Sequence, residues 1–310
     1  MGNPGGTGIG RRLEYAGVRL LAFVLGCTDV HGATRIGAAL GRVLWFVDRR
    51  HRAVAEDNLR KAYAGALPDR EIRRIAREVY ENIGRTGAEF VHGPRRLRGR
   101  AGARCFEVTG AEPLREAAGE GPAVFLSAHF GNWEHSVAAA RGAGFDTVSV
   151  ARPLDNPLLD RWIGRMRRAT GTETVEKRGA LRGLLRVARQ GRSVAMLMDQ
   201  NAGRHGMLVP FFGRPCSTIP AGVALARRLG APVSVGTMER RAPGIHRLRL
   251  GPPMYVRDGE GGEKEALVEV SRQLEGRIRE RPADWLWLHR RWRVKDDWGL
   301  EGGTDSPSNP

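Results

Sequence analysis

Gly121–Glu134 reads GPAVFLSAHFGNWE, and few folds accommodate such a stretch. Ala123, Val124, Phe125 and Leu126 form the apolar run of a buried strand, entered through Gly121-Pro122. Gly131 then supplies a turn, and Asn132 is a residue type that caps helix starts. This strand–turn–helix pattern delivers His129 to the C-terminal end of a strand, the edge at which open α/β sheets bind ligands. Glu134 follows five positions later, where the next turn of chain can bring a carboxylate back to the imidazole. A histidine steadied by a carboxylate works as a general base towards a hydroxyl.

The chain downstream repeats the alternation. Strands are predicted at Thr147–Ala151, Ser193–Met198, Pro232–Met238 and His246–Leu250. Helices are predicted at Asn156–Ala169, Ala180–Gln190, Pro220–Leu229 and Lys264–Glu280, and a loop over residues 203–216. The fold class expected is α/β: a central mixed sheet flanked by helices, over residues 105–298, behind an N-terminal helical, membrane-associating segment over 13–104. Residues 1–12 and 299–310 are expected to be disordered.

Within the N-terminal segment, Tyr15–Cys27 is 13 mostly apolar residues interrupted by Arg19. A bilayer span needs roughly 20. The stretch fits either a span lengthened by Leu13 and Val30 or a buried or membrane-surface helix. Thr34–Val47 is amphipathic, with Ile36, Leu40, Val43, Leu44 and Val47 aligned ahead of Arg49, Arg50 and Arg52. It suits an interfacial helix and a core helix equally. After Asp69, Ile72, Ile75, Ala76, Val79, Ile83 and Phe90 share one helical stripe.

Charge narrows the partners. The formal net charge is +17, and only Lys61, Lys177, Lys264 and Lys295 among 51 basic residues are lysines. Such a chain favours anionic surfaces: nucleic acid, acidic membrane or an acidic carrier protein. The Arg- and Gly-rich segment 93–104 lacks the interleaved aromatics of a nucleic-acid stacking platform and reads as a solvated loop, so nucleic acid is not expected as a partner. Cys27, Cys105 and Cys216 are too dispersed for a disulfide framework or a zinc site. His129 and His135 do not share a ligand face, so no metal is expected. No G-x-S-x-G elbow supports a serine hydrolase.

Reactive polar groups gather instead at predicted strand ends: His129 with Glu134, Arg152, and Asp199 with Gln200. His129–Glu134 (HFGNWE) resembles the H-x4-D/E motif of glycerolipid-type acyltransferases, in the form found in the lipid A biosynthesis lauroyl and myristoyl transferases. Glu56–Tyr63 (EDNLRKAY), Ala151–Pro157 (ARPLDNP), Met196–Asn201 (MLMDQN), Val209–Gly213 (VPFFG), Ala231–Val233 and Trp285–Arg293 (WLWLHRRWR) are similar in the same order. The resemblance therefore runs from about residue 12 to 293.

It implies transfer of a fatty acyl group from acyl carrier protein or coenzyme A, as co-substrate and without a cofactor, to a hydroxyl of a membrane glycolipid. A lipid A precursor is the acceptor it favours; a phosphatidylinositol mannoside or a lysophospholipid is the alternative. It also implies an inner-membrane enzyme on the cytoplasmic face, attached peripherally or by one N-terminal anchor. His129 would be the base and Glu134 its orienting acid. Arg152 would grip acceptor phosphate or the oxyanion, with Asp199, Gln200 and Asn132 at the substrate. Phe211 and Phe212 would line an acyl groove or pack in the core.

Overall fold

The computed structural model describes residues 8–97, 102, 104–176 and 180–294. Four helices come first: α1 (Ile9–Gly26), α2 (Val30–Val47), α3 (Arg49–Tyr63) and α4 (Asp69–Arg96). Residues 9–12, expected to be disordered, thus form the first turn of α1. Residues 1–7 and the tail expected over 299–310 lie outside the described residues. Of the expected loop 93–104, α4 takes the residues through Arg96, while 98–101 and 103 are likewise outside.

Asp29 starts α2 by accepting the Gly32 N–H at 2.7 Å, and Asp48 does the same for α3 from His51. Glycine lets α2 lie against α4 at backbone contact. A Cβ on Gly37 would sit 2.3 Å from the Gly84 carbonyl oxygen, and one on Gly41 would sit 2.1 Å from that of Tyr80. Among the described residues no helix is long and apolar enough to cross a membrane.

The rest builds a layered α/β core. Its strands and helices follow as β1 (Phe106–Thr109), α5 (Ala111–Ala118), β2 (Val124–Gly131), α6 (Ser136–Gly142), β3 (Thr147–Ala151), α7 (Pro157–Ala169) and β4 (Glu173–Glu176). Then come α8 (Ala180–Arg189), β5 (Ser193–Leu197), β6 (Met207–Phe211), β7 (Arg214–Thr218), α9 (Ala221–Leu229), β8 (Val233–Ala242), β9 (Ile245–Leu250) and α10 (Gly262–Glu280). Seven strands form one mixed sheet in the order β1-β9-β8-β2-β5-β3-β4, antiparallel only between β8 and β9.

Alternation along β2 serves both faces. Val124, Leu126, Ala128 and Phe130 join α3, α4, α9, α10 and the terminal tryptophans in the larger core. Ala123 and Phe125 join Leu114, Ala139, Ala140 and Phe145 in the other. Most of the predicted elements therefore recur within a residue or two. The segment 203–216 differs. It contains most of a separate antiparallel hairpin, β6–β7, closed through Phe212 and Gly213 with φ of 52° and 70°. Positive φ at both central positions matches the right-handed twist of a two-residue hairpin, which suits glycine and strains phenylalanine.

Candidate active site

β2 and β5 are parallel neighbours with Ser127 opposite Leu197, so two residues further on His129 and Asp199 emerge side by side. The Asp199 carboxylate holds His129 twice. One oxygen lies 2.8 Å from imidazole Nδ1 and the other accepts the His129 backbone N–H at 2.9 Å. Trp285 adds an indole N–H to Asp199 at 2.8 Å. With Nδ1 engaged, Nε2 is the ring nitrogen left for the cleft that His129 lines. Asp199 is sealed, while the His129 side chain keeps 18% exposure.

The electrostatics follow from this pairing. Burial opposes charge on His129, but the attraction and hydrogen bond of Asp199, aided by the charge of Glu134, hold its pKa above the ordinary value. Burial likewise opposes the Asp199 carboxylate, and His129 with the Trp285 donor brings it down to about 2.

Glu134 is not the acid on the imidazole. After Gly131 the chain enters a single tight turn, Trp133–His135, before α6. This turn aims Glu134 at α7, where Arg167 grips both oxygens, Nε at 2.9 Å and Nη2 at 2.8 Å. A planar guanidinium forms a two-point, charge-assisted bond that an imidazole cannot match. Arg167 is thus a cleft residue that the sequence reading missed. It falls on an ordinary amphipathic helix, and nothing local separates it from Arg165 or Arg168.

Asn132 also departs from expectation. Its side chain caps no helix and faces no cleft; it is fully buried and donates to Glu89 at 2.9 Å and to His135 Nδ1 at 3.2 Å. Glu89, on α4, additionally accepts from Arg240 through Nε and Nη2, each at 2.9 Å, and lies 3.0 Å from His246 Nε2. Thr86 completes this underside by donating to the Gly131 carbonyl at 3.2 Å. Gly131 itself has φ of 56° and runs so close to β8 that a Cβ would lie 1.7 Å from the Met238 oxygen. The turn carrying His129 and Glu134 is therefore gripped from below by buried polar bonds and a backbone contact.

The cleft encloses about 430 Å³ and is lined by His129, Trp133, Glu134, Arg152, Arg167 and Gln200, among others. Arg152 reaches it from the end of β3, with only a 3.8 Å ion pair to the exposed Asp155. Gln200, just past the end of β5, also lines it. Asp199, expected at the substrate, bonds to His129. Ser127 donates to the Gly236 carbonyl at 2.6 Å, a strand-bridging bond. Phe211 and Phe212 pack against Trp285, Trp287 and Trp292 in the core and leave the cleft walls to other residues.

The terminal tryptophan segment braces the other side of the site. Arg291 is 2% exposed and donates to the carbonyls of Gln200 and Ser217 and to Thr218 Oγ1. Asn58 of α3 donates to the carbonyls of Trp287 and His289, each at 2.7 Å. Distant motif blocks are thus joined by buried bonds around Asp199.

Residues 11–294 match the family described as bacterial lipid A biosynthesis acyltransferase. The lipid A biosynthesis lauroyltransferase of Escherichia coli K12 is 25% identical over 273 residues, 85% of this chain and 86% of that protein. The lipid A biosynthesis palmitoleoyltransferase of the same strain is 27% identical, over 84% of both chains. Among solved structures, the 1-acyl-sn-glycerophosphate acyltransferase PlsC of Thermotoga maritima aligns with 82% of this chain and 99% of its own, at 14% identity and a TM-score of 0.40.

Proposed function

Because the chain belongs to the bacterial lipid A biosynthesis acyltransferases, we propose that it carries a fatty acyl group from a thioester carrier to a hydroxyl of a lipid A precursor, with His129 as general base. The observation that carries this reading is the Asp199–His129 pair at the cleft, which fixes the imidazole through Nδ1. The acceptor O–H gives its proton to Nε2 as its oxygen attacks the thioester carbonyl. The C–S bond then breaks, and the same proton passes to the departing sulfur. A thioester is already activated, so no acyl-enzyme is needed. Asp199 keeps the tautomer and stabilises the imidazolium.

Arg167 uses Nε and Nη2 on Glu134, which leaves Nη1 to offset charge developing on the carbonyl oxygen. Arg152, more loosely held, takes an acceptor phosphate, and Gln200 borders the same acceptor. Acyl carrier protein and coenzyme A are both acidic donors suited to a chain of net charge +17.

Docking to the cytoplasmic face of the inner membrane falls to helices α1 and α2 as a peripheral attachment. Among the described residues, eleven of the thirteen exposed large hydrophobics lie there, including Ile9, Leu13, Leu20, Phe23, Val43 and Phe46. Such confinement marks an interaction face, and flanking arginines add attraction to anionic lipid.

The test is incubation of purified protein with acyl carrier protein and coenzyme A thioesters, each against lipid A precursors, phosphatidylinositol mannosides and lysophospholipids, with products weighed. The expected product is an acylated lipid A precursor that disappears with His129→Ala. Undiminished transfer by that variant would defeat the assignment of the base, and acylation of another acceptor alone would replace the substrate.

A further inference from the structure

A second concave site lies between α2, the middle of α4 and the β8–β9 turn. It encloses about 680 Å³, and its walls carry Arg35, Arg42, Arg85, Arg240, Arg241 and Arg281. Carboxylates neutralise part of this charge. Glu81 pairs with Arg42 and Arg85, Glu89 with Arg240, and Asp284 with Arg281. Six guanidinium groups thus face three carboxylates. Arg35 and Arg241 are exposed and pair with no carboxylate among the described residues. Like charges gathered in a concavity focus a positive potential that an anion relieves, and guanidinium forks match phosphate oxygens two at a time.

The setting limits which anion. Arg35 and Arg42 recur at seven-residue spacing on one side of α2, while exposed Leu40, Val43, Leu44 and Val47 occupy the adjoining outward side. The outward surface of this helix is therefore divided, basic towards the cavity and apolar beside it. A group bound among the arginines lies next to the surface that meets acyl chains, at the depth of headgroups.

We propose that this cavity binds the phosphate of an anionic phospholipid headgroup, separately from the cleft that holds His129. The proposal rests on membrane docking by α1 and α2 and is independent of acyl transfer.

The test is flotation of the full chain with vesicles of phosphatidylcholine alone and of phosphatidylcholine with phosphatidylglycerol, with and without competing inorganic phosphate at constant ionic strength. Each arginine beside an anionic surface contributes roughly fivefold in binding. Arg35→Ala/Arg241→Ala is therefore expected to lose about thirtyfold on the anionic vesicles, and far more than Arg204→Ala/Arg228→Ala, which removes the same charge elsewhere. Inorganic phosphate is expected to weaken wild type and leave the cavity variant unaffected.

Equal losses in the two double variants would reduce the effect to overall charge and overturn the site. Phosphate binding without any preference for anionic vesicles would assign the cavity to soluble phosphate and overturn the lipid. Wild type that floats with neither vesicle would fail the docking reading itself, whereas equal flotation with both would fail this inference alone.

Discussion

Asp199 and Glu89 are both buried carboxylates bonded to a histidine, one at the cleft and one beneath it, and their surroundings differ. At the cleft the carboxylate forms an ion pair with the imidazole and with no other cation among the described residues, and the pKa of His129 rises. Beneath it, Arg240 grips both oxygens of Glu89 before any histidine does. The neighbouring His135, buried and beside positively charged groups, is driven down to about 3 and stays neutral. The two sites use the same residue types. Access to the cleft separates His129, placed to exchange a proton under the proposed chemistry, from His135, which burial keeps neutral as a structural element.

Removing each part in turn sharpens that contrast. His129→Asn, whose side-chain amide keeps a donor for Asp199, is expected to lower acyl transfer by up to about 10⁴-fold, at the upper end for a general base, with a much smaller change in thermal stability. Enzyme assay beside a melting curve reads both quantities. Glu89→Gln is expected to act the other way round. It leaves the Arg240 charge buried without its partner, at a cost of about 3–5 kcal/mol in denaturant unfolding. If the loss appeared in turnover while the unfolding midpoint held, the lower cluster would have a chemical role and the contrast would fail.

Asp199→Asn should show its signature in the pH profile. Neutral His129 is the active form, so activity climbs as pH rises through its folded pKa. In wild type that limb lies above the ordinary 6.5, and in the variant, with burial opposed only by the lesser effect of the Glu134 charge, it moves down. Stability follows the linked sign. The protonated ring stabilises the fold fully below pH 6.5, and this contribution fades as pH rises through the elevated folded value. Asp199→Asn should flatten that dependence, and an unmoved limb would dissociate Asp199 from the base.

Arg167→Lys keeps a charge on Glu134 and loses the planar fork. A fall of about tenfold in turnover is expected, because bidentate geometry and not charge alone places Glu134. Arg152→Ala is the smallest change. At 76% side-chain exposure, with only the long contact to Asp155, it should leave stability within about 0.5 kcal/mol. Its effect should appear as a weaker KM for phosphorylated acceptor.

The sequence made some of these features visible and hid others for definite reasons. β2, its turn and the stripe on α4 were legible because apolar period and glycine placement are local signals. The ordered motif blocks pointed to the right family across the chain. The pairing of residues was hidden. Asp199 faces His129 because β5 lies beside β2, and strand order is a tertiary choice that spacing does not encode. Glu134 looked close to His129 along the chain, yet the positive φ of Gly131 redirects it to α7. Asn132 has the residue type of a helix cap but is drawn inward by Glu89, 43 positions earlier. The β6–β7 hairpin escaped because its turn carries phenylalanine where glycine or asparagine usually signals one.

The partners of Asp199 come from far apart in the chain: His129 seventy positions before it and Trp285 eighty-six after it. A chain emerging from the ribosome therefore cannot complete this set of bonds until Trp285 has been added. Under the proposed chemistry, products that stop short of Trp285 would be inert, and loss of the tryptophan segment through proteolysis would disarm the molecule while leaving the histidine in place.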